Sequence, residues 1–167
     1  MEMIGNKKLA EPKFHEGVWV VNRFGDVWHI DSFDSKNYQV SNGKGNYNYF
    51  PISKQDEMHI WTINDAKDGD VLVCDINKAE IGGDVEKLPN IVSTIFNFKK
   101  VITSRDYIHS YCHLYDRRFL GLQSTMYYNS FVYNISPATK EQRDLLSQKI
   151  QETGYKWVAE TKTFGKL

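Results

Sequence analysis

Nine residues of strict alternation limit what the stretch 107–115 can become: Tyr107-Ile108-His109-Ser110-Tyr111-Cys112-His113-Leu114-Tyr115. Successive side chains of a β-strand point to opposite faces. One face of such a strand carries Ile108, Ser110, Cys112 and Leu114 and suits a core. The other carries Tyr107, His109, Tyr111, His113 and Tyr115, a row of rings with polar tips. That row suits stacking on a flat ligand. The plainer reading is the wetter face of a curved sheet.

The N-terminal third repeats the strand signal at short intervals. After a polar lead-in over 1–13 come Val18–Val21, a turn at Arg23–Asp26, and Val27–Ile30. Tyr38–Val40, a Gly-rich turn at 42–46 and Tyr47–Ile52 follow. Short strands separated by Gly and Asn predict a small SH3-like barrel over 14–58. A second β-rich unit is expected over 61–167, with strands at 71–74, 91–102, 107–115, 118–122 and 126–135 and a loop at 75–90 containing Gly82-Gly83. The predicted fold class is therefore mostly β: two barrel-like or curled antiparallel units and one C-terminal helix.

That helix is predicted over 140–153. Thr139 and Gln142 form a capping box, Leu145, Leu146 and Ile150 supply an apolar stripe, and Gly154 is a natural stop. A fainter signal links the two units. His15-Glu16-Gly17-Val18-Trp19-Val20-Val21 is echoed 52 positions later by Lys67-Asp68-Gly69-Asp70-Val71-Leu72-Val73. Either the unit is duplicated or the same strand-leading turn is used twice.

Composition narrows function more than fold. Lys and Arg total 21, as do Asp and Glu, so no general attraction to nucleic acid is expected. Aromatics are plentiful, with 10 Tyr, 9 Phe and 4 Trp, which favours both strands and binding surfaces. No stretch resembles an export signal or a membrane span, so a cytoplasmic protein with reduced Cys74 and Cys112 is expected.

Two segments, Trp61-Thr62-Ile63-Asn64-Asp65-Ala66-Lys67-Asp68-Gly69-Asp70-Val71-Leu72 and Pro137–Leu146 running on to Gly154-Tyr155-Lys156-Trp157, resemble a group of proteins from gut Bacteroides-type bacteria and their phages. The resemblance covers about 61–160 and implies a bacterial or phage accessory protein. It brings no chemistry, because the matching positions look like turn, cap and core residues.

Catalytic and metal signatures are sparse. His109 and His113 lie about 13 Å apart along a strand, too far to share one zinc ion. No nucleophile elbow, P-loop or dinucleotide fingerprint occurs, and neither metal nor cofactor is expected. The candidate ligand site is the ring face with its flanking cations: Arg105, Tyr107, His109, Tyr111, His113, Arg117 and Arg118. Rings to stack on a base and guanidinium groups to fork a phosphate are what nucleotide recognition needs. Tyr127, Tyr128, Phe131 and Tyr133 form a second ring cluster. The leading expectation is a non-catalytic protein, a phage counter-defence sponge that sequesters a nucleotide-derived signal. Alternatives are a module that docks on a host protein and a phosphodiesterase or nuclease. Homo-oligomers stay open.

Overall fold

The computed structural model describes residues 10–76, 93–102, 107–115, 119–127 and 133–167. Chain contacts divide at Trp61/Thr62 into two units. In the first, β1 (Trp19–Asn22), β2 (Val27–Phe33), β3 (Asn37–Ser41) and β4 (Tyr47–Pro51) form an antiparallel meander. A 3-10 helix, Ile52–Glu57, then returns the chain so that β5 (Met58–Ile60) pairs with β1. The order β4-β3-β2-β1-β5 is an open sheet, so the expected SH3-like barrel is not closed. The unit also runs past the expected boundary at 58, because β5 supplies its fifth strand.

Two of its turns share one chemistry. In Asn22-Arg23-Phe24-Gly25-Asp26 and Asn42-Gly43-Lys44-Gly45-Asn46, the Asn side-chain oxygen accepts from backbone N–H groups two and four residues on, at 2.9–3.0 Å. The glycine in the fourth position takes φ of +79° or +85°, which a β-carbon resists. The apolar face gathers Val20, Ile30, Tyr38, Val40, Ile52 and Met58 with Phe14. The end of the lead-in is held as well: Gln55 Nε2 donates to the Glu11 carbonyl at 2.9 Å, and Lys13 N–H donates to Gln55 Oε1 at 2.7 Å.

The second unit pairs β6 (Val71–Ile76), β7 (Thr94–Ile102), β8 (Tyr107–Tyr115) and β9 (Phe119–Tyr127) in a meander, with β10 (Tyr133–Pro137) on β6. The expected strand at 118–122 and the start of that at 126–135 are the single strand β9, and the end of the latter belongs to β10. The Gly82-Gly83 loop lies outside the described residues. Helix α1 (Lys140–Gln151) opens on the expected box: Gln142 N–H donates to Thr139 Oγ1 at 3.3 Å, and Thr139 N–H to Gln142 Oε1 at 2.8 Å. Its Leu146 and Ile150 pack against Val73, Ile95, Cys112 and Leu114. A hairpin absent from the expectation, β11 (Tyr155–Val158) with β12 (Thr163–Lys166), follows, and its Trp157 and Phe164 join the same core.

The echo at Gly17 and Gly69 extends through both sheets. Order β9-β8-β7-β6-β10 repeats β4-β3-β2-β1-β5 strand for strand. Gly17 N–H donates to Ile30 O and Ile30 N–H to Val18 O; Gly69 N–H donates to Phe98 O and Phe98 N–H to Asp70 O, all at 2.7–2.9 Å. Both glycines have positive φ, +85° and +92°. The second strand then slips register by one residue in each unit, at Asp31 and at Lys99. The fifth strand ends alike, with Trp61 N–H on Trp19 O and Ala138 N–H on Val71 O. A capping box follows at once, Thr62 with Asp65 and Thr139 with Gln142. A turn used twice would explain the first correspondence alone. Shared order, bulge, register and cap are the architecture of one module used twice.

Candidate functional site

The alternation predicted for β8 is present: Ile108, Ser110, Cys112 and Leu114 are buried, while Tyr107, His109, Tyr111 and His113 are half-buried and Tyr115 is exposed. The ring face is nevertheless not a free row. His113 faces Gly121 of β9 across the strands, and a β-carbon on Gly121 would stand 2.7 Å from His113 Nε2. The imidazole therefore fills the space a side chain at 121 would occupy. Its Nδ1 is buried without a hydrogen-bond partner, and burial pushes its pKa below the ordinary histidine value.

Tyr111 sits where β8 slips against β7, a second irregularity that the first unit lacks. Its ring lies 4.9 Å from Trp157, with Lys99 Nζ 5.1 Å from its centre. Desolvation first, and the Asp68 carboxylate second, raise its phenol above the usual value. Its partners belong to this chain. His109 stands opposite Lys100 and Thr125, and Tyr107 opposite Ile102 and Tyr127. Arg105, Arg117 and Arg118 lie outside the described residues, as do Tyr128 and Phe131. The side chains of Tyr127 and Tyr133 are likewise not described. Cys74 and Cys112 are free thiols, raised by burial to about 12 and about 11.

The first unit holds a constellation that strand-by-strand reading missed. Register aligns Trp19, His29, Ser41 and Tyr47 in one row across four strands, and Ser32, Gln39 and Tyr49 in the next. The slip at Asp31 puts two consecutive side chains to work on that face, as bulges do. Asp31 Oδ1 accepts from His29 Nδ1 at 2.7 Å and from Ser41 Oγ at 2.9 Å, while Ser32 Oγ donates to Gln39 Oε1 at 3.1 Å. The Trp19 and His29 rings are 5.0 Å apart. With Nδ1–H committed to the carboxylate, a neutral His29 keeps Nε2 as an acceptor. Tyr47 and Tyr49 stand 73% and 64% exposed on the edge strand. The available signal was Trp28-His29-Ile30-Asp31, but His29 and Asp31 converge with Ser41 only through the slip.

The repeat gives this row a counterpart. Val71, Asn97, Cys112 and Leu122 are aligned in the second unit as Trp19, His29, Ser41 and Tyr47 are in the first. There Cys112 and Val71 pack into the core that α1 covers. The same face thus packs under the chain's own helix at Val71 and Cys112 in one unit, whereas in the other it is polar and aromatic, half-buried at Trp19, His29 and Ser41 and exposed at Tyr47.

Among the described residues no group of three His, Cys, Asp or Glu side chains could hold a metal ion, and no helix is long and apolar enough to cross a membrane. No family model, curated protein or solved structure matches the chain.

Proposed function

We propose that the protein is a non-catalytic binding protein and that the outer face of its first unit is the contact surface. One observation carries this reading: the row of half-buried Trp19, His29 and Ser41 with exposed Tyr47 is polar and aromatic, where Val71 and Cys112, the counterparts of Trp19 and Ser41, pack into a helix-covered core. Large rings with polar tips, held on a rigid sheet, lose little conformational entropy on binding. Chemistry is less well served. Ser41 Oγ bonds the Asp31 carboxylate rather than His29, so the nucleophile–base hydrogen bond of a triad is not formed.

The second unit is scaffold in this reading, because Tyr111 and His113 are engaged by Trp157, Lys99 and Gly121. Sequestration of a nucleotide-derived signal is the narrower form of the proposal. It depends on cations, and the register of the open face includes neither Lys nor Arg.

Native mass spectrometry of the full chain, mixed with cyclic and linear nucleotides and with small oligosaccharides, tests the reading. A defined added mass released unchanged on denaturation is the expected result. Conversion of the ligand overturns it in favour of an enzyme. A bare protein under every condition, with a host protein co-purifying, replaces it by the docking module.

A further inference from the structure

From the chemistry of the open face we infer that its ligand is a neutral oligosaccharide, an inference that rests on the binding reading above. That face carries Trp19, His29, Ser32, Gln39, Ser41, Tyr47 and Tyr49, with Asp31 brought in at the slip, and the same register adds Val21, Val27, Asn37, Pro51 and His59. A phosphate-bearing ligand would find no Lys or Arg among them and would meet the Asp31 carboxylate, an arrangement that repels anions. An apolar helix of the kind that covers the second unit would strip water from His29, Asp31, Ser41 and Gln39 without returning hydrogen bonds. At the equivalent positions of the second unit Val71 and Cys112 replace Trp19 and Ser41, which is what a helix-covered face requires.

A pyranose ring answers both halves of the surface. It offers a face of C–H bonds, suited to the electron-rich faces of Tyr47, Tyr49 and Trp19. Its rim of hydroxyls both donates and accepts, and the face supplies both kinds of partner. Asp31 Oδ1 takes the bonds from His29 and Ser41, which leaves Oδ2 as an acceptor for a sugar hydroxyl. Gln39 receives Ser32 through Oε1 and keeps its Nε2 donors. Tyr47 and Tyr49, two residues apart on β4, are separated by about 7 Å along the strand. One pyranose ring does not cover both tyrosines, so they meet different residues of a chain.

The test is isothermal titration of the full protein with hexasaccharides of glucose, mannose, xylose and N-acetylglucosamine, beside a cyclic dinucleotide and an inorganic phosphate control. Tyr47→Ala and Tyr49→Ala alter exposed side chains and leave the core intact. Leu122→Ala, an exposed side chain aligned with Tyr47 in the second unit, is the control. Binding of a neutral hexasaccharide, weakened at least tenfold in Tyr49→Ala and unchanged in Leu122→Ala, is the expected result. Binding of the dinucleotide but of no hexasaccharide, still weakened by Tyr49→Ala, overturns the sugar while leaving the face as a binding surface. Ligand binding that ignores both tyrosine variants, or no binding at all, overturns the sugar and the face together.

Discussion

Gly121→Ala asks whether His113 is a packing residue. The imidazole lies across the cross-strand glycine on edge strand β9, so an added methyl must displace the ring: it would stand 2.7 Å from Nε2 and 3.0 Å from Nδ1. A ring fixed to a strand is not a flexible tip, and forced overpacking of this kind costs about 1–3 kcal/mol. In a His113→Ala background the obstruction is gone. Gly→Ala there should gain about 0.5–1 kcal/mol, because alanine gives up less backbone freedom than glycine in a strand. The two backgrounds should therefore differ by about 1.5–4 kcal/mol, at the upper end of the coupling that contacting residues show. Urea denaturation followed by circular dichroism measures each corner of the cycle, and hydrogen exchange at β8 and β9 amides assigns the loss to the second unit. An equal cost of Gly121→Ala in both backgrounds would refute the packing argument.

The same imidazole carries a pH signature. Its folded pKa is lowered by burial from 6.5, so the unfolded chain binds more protons below that value, and its contribution is complete above 6.5 and lost as pH falls towards the folded pKa. His113→Phe keeps a ring over Gly121 and should flatten that part of the stability–pH curve in acid titrations; an unchanged slope argues against the assignment. Gly17→Ala should cost about 1–2 kcal/mol for forcing a side chain into left-handed backbone, with nothing within 4 Å to obstruct it. At Gly69 the same change also runs into Lys162, whose Nζ donates to Asp68 O at 2.6 Å. Thermal denaturation should rank Gly69→Ala below Gly17→Ala, and Lys162→Ala should narrow the gap. Thr139→Ala should cost about 1 kcal/mol and raise exchange in the first turn of α1. With thiols raised to about 12 and about 11, Cys74 and Cys112 should resist iodoacetamide at pH 8 in the native protein and react once it is unfolded.

Much of the local structure was legible in the chain. The alternation of 107–115, the box at Thr139 and Gln142, and the Asn and Gly of the two tight turns each act within a few residues. No more than one side-chain period or one turn of backbone is needed to read them. The β11–β12 hairpin escaped notice for an equally local reason. Its turn places Lys162, not glycine, at φ +55°, and the residues that pin it, Trp157 and Phe164, answer to a core built elsewhere in the chain.

That the chain is mostly β, where its helix begins and which face of β8 is buried were all readable from periodicity and capping, because these are short-range physics. Tertiary structure alone decided that the two sheets repeat one module. Strand order and register survive when Trp19 becomes Val71 and His29 becomes Asn97, so the repeat is written in backbone hydrogen bonds rather than in side chains. It also decided where a surface site can stand. His29, Asp31 and Ser41 meet through a one-residue slip between β2 and β3. The row of rings on β8 instead met partners of its own, because Gly121 and Trp157 were brought to it by pairing and packing.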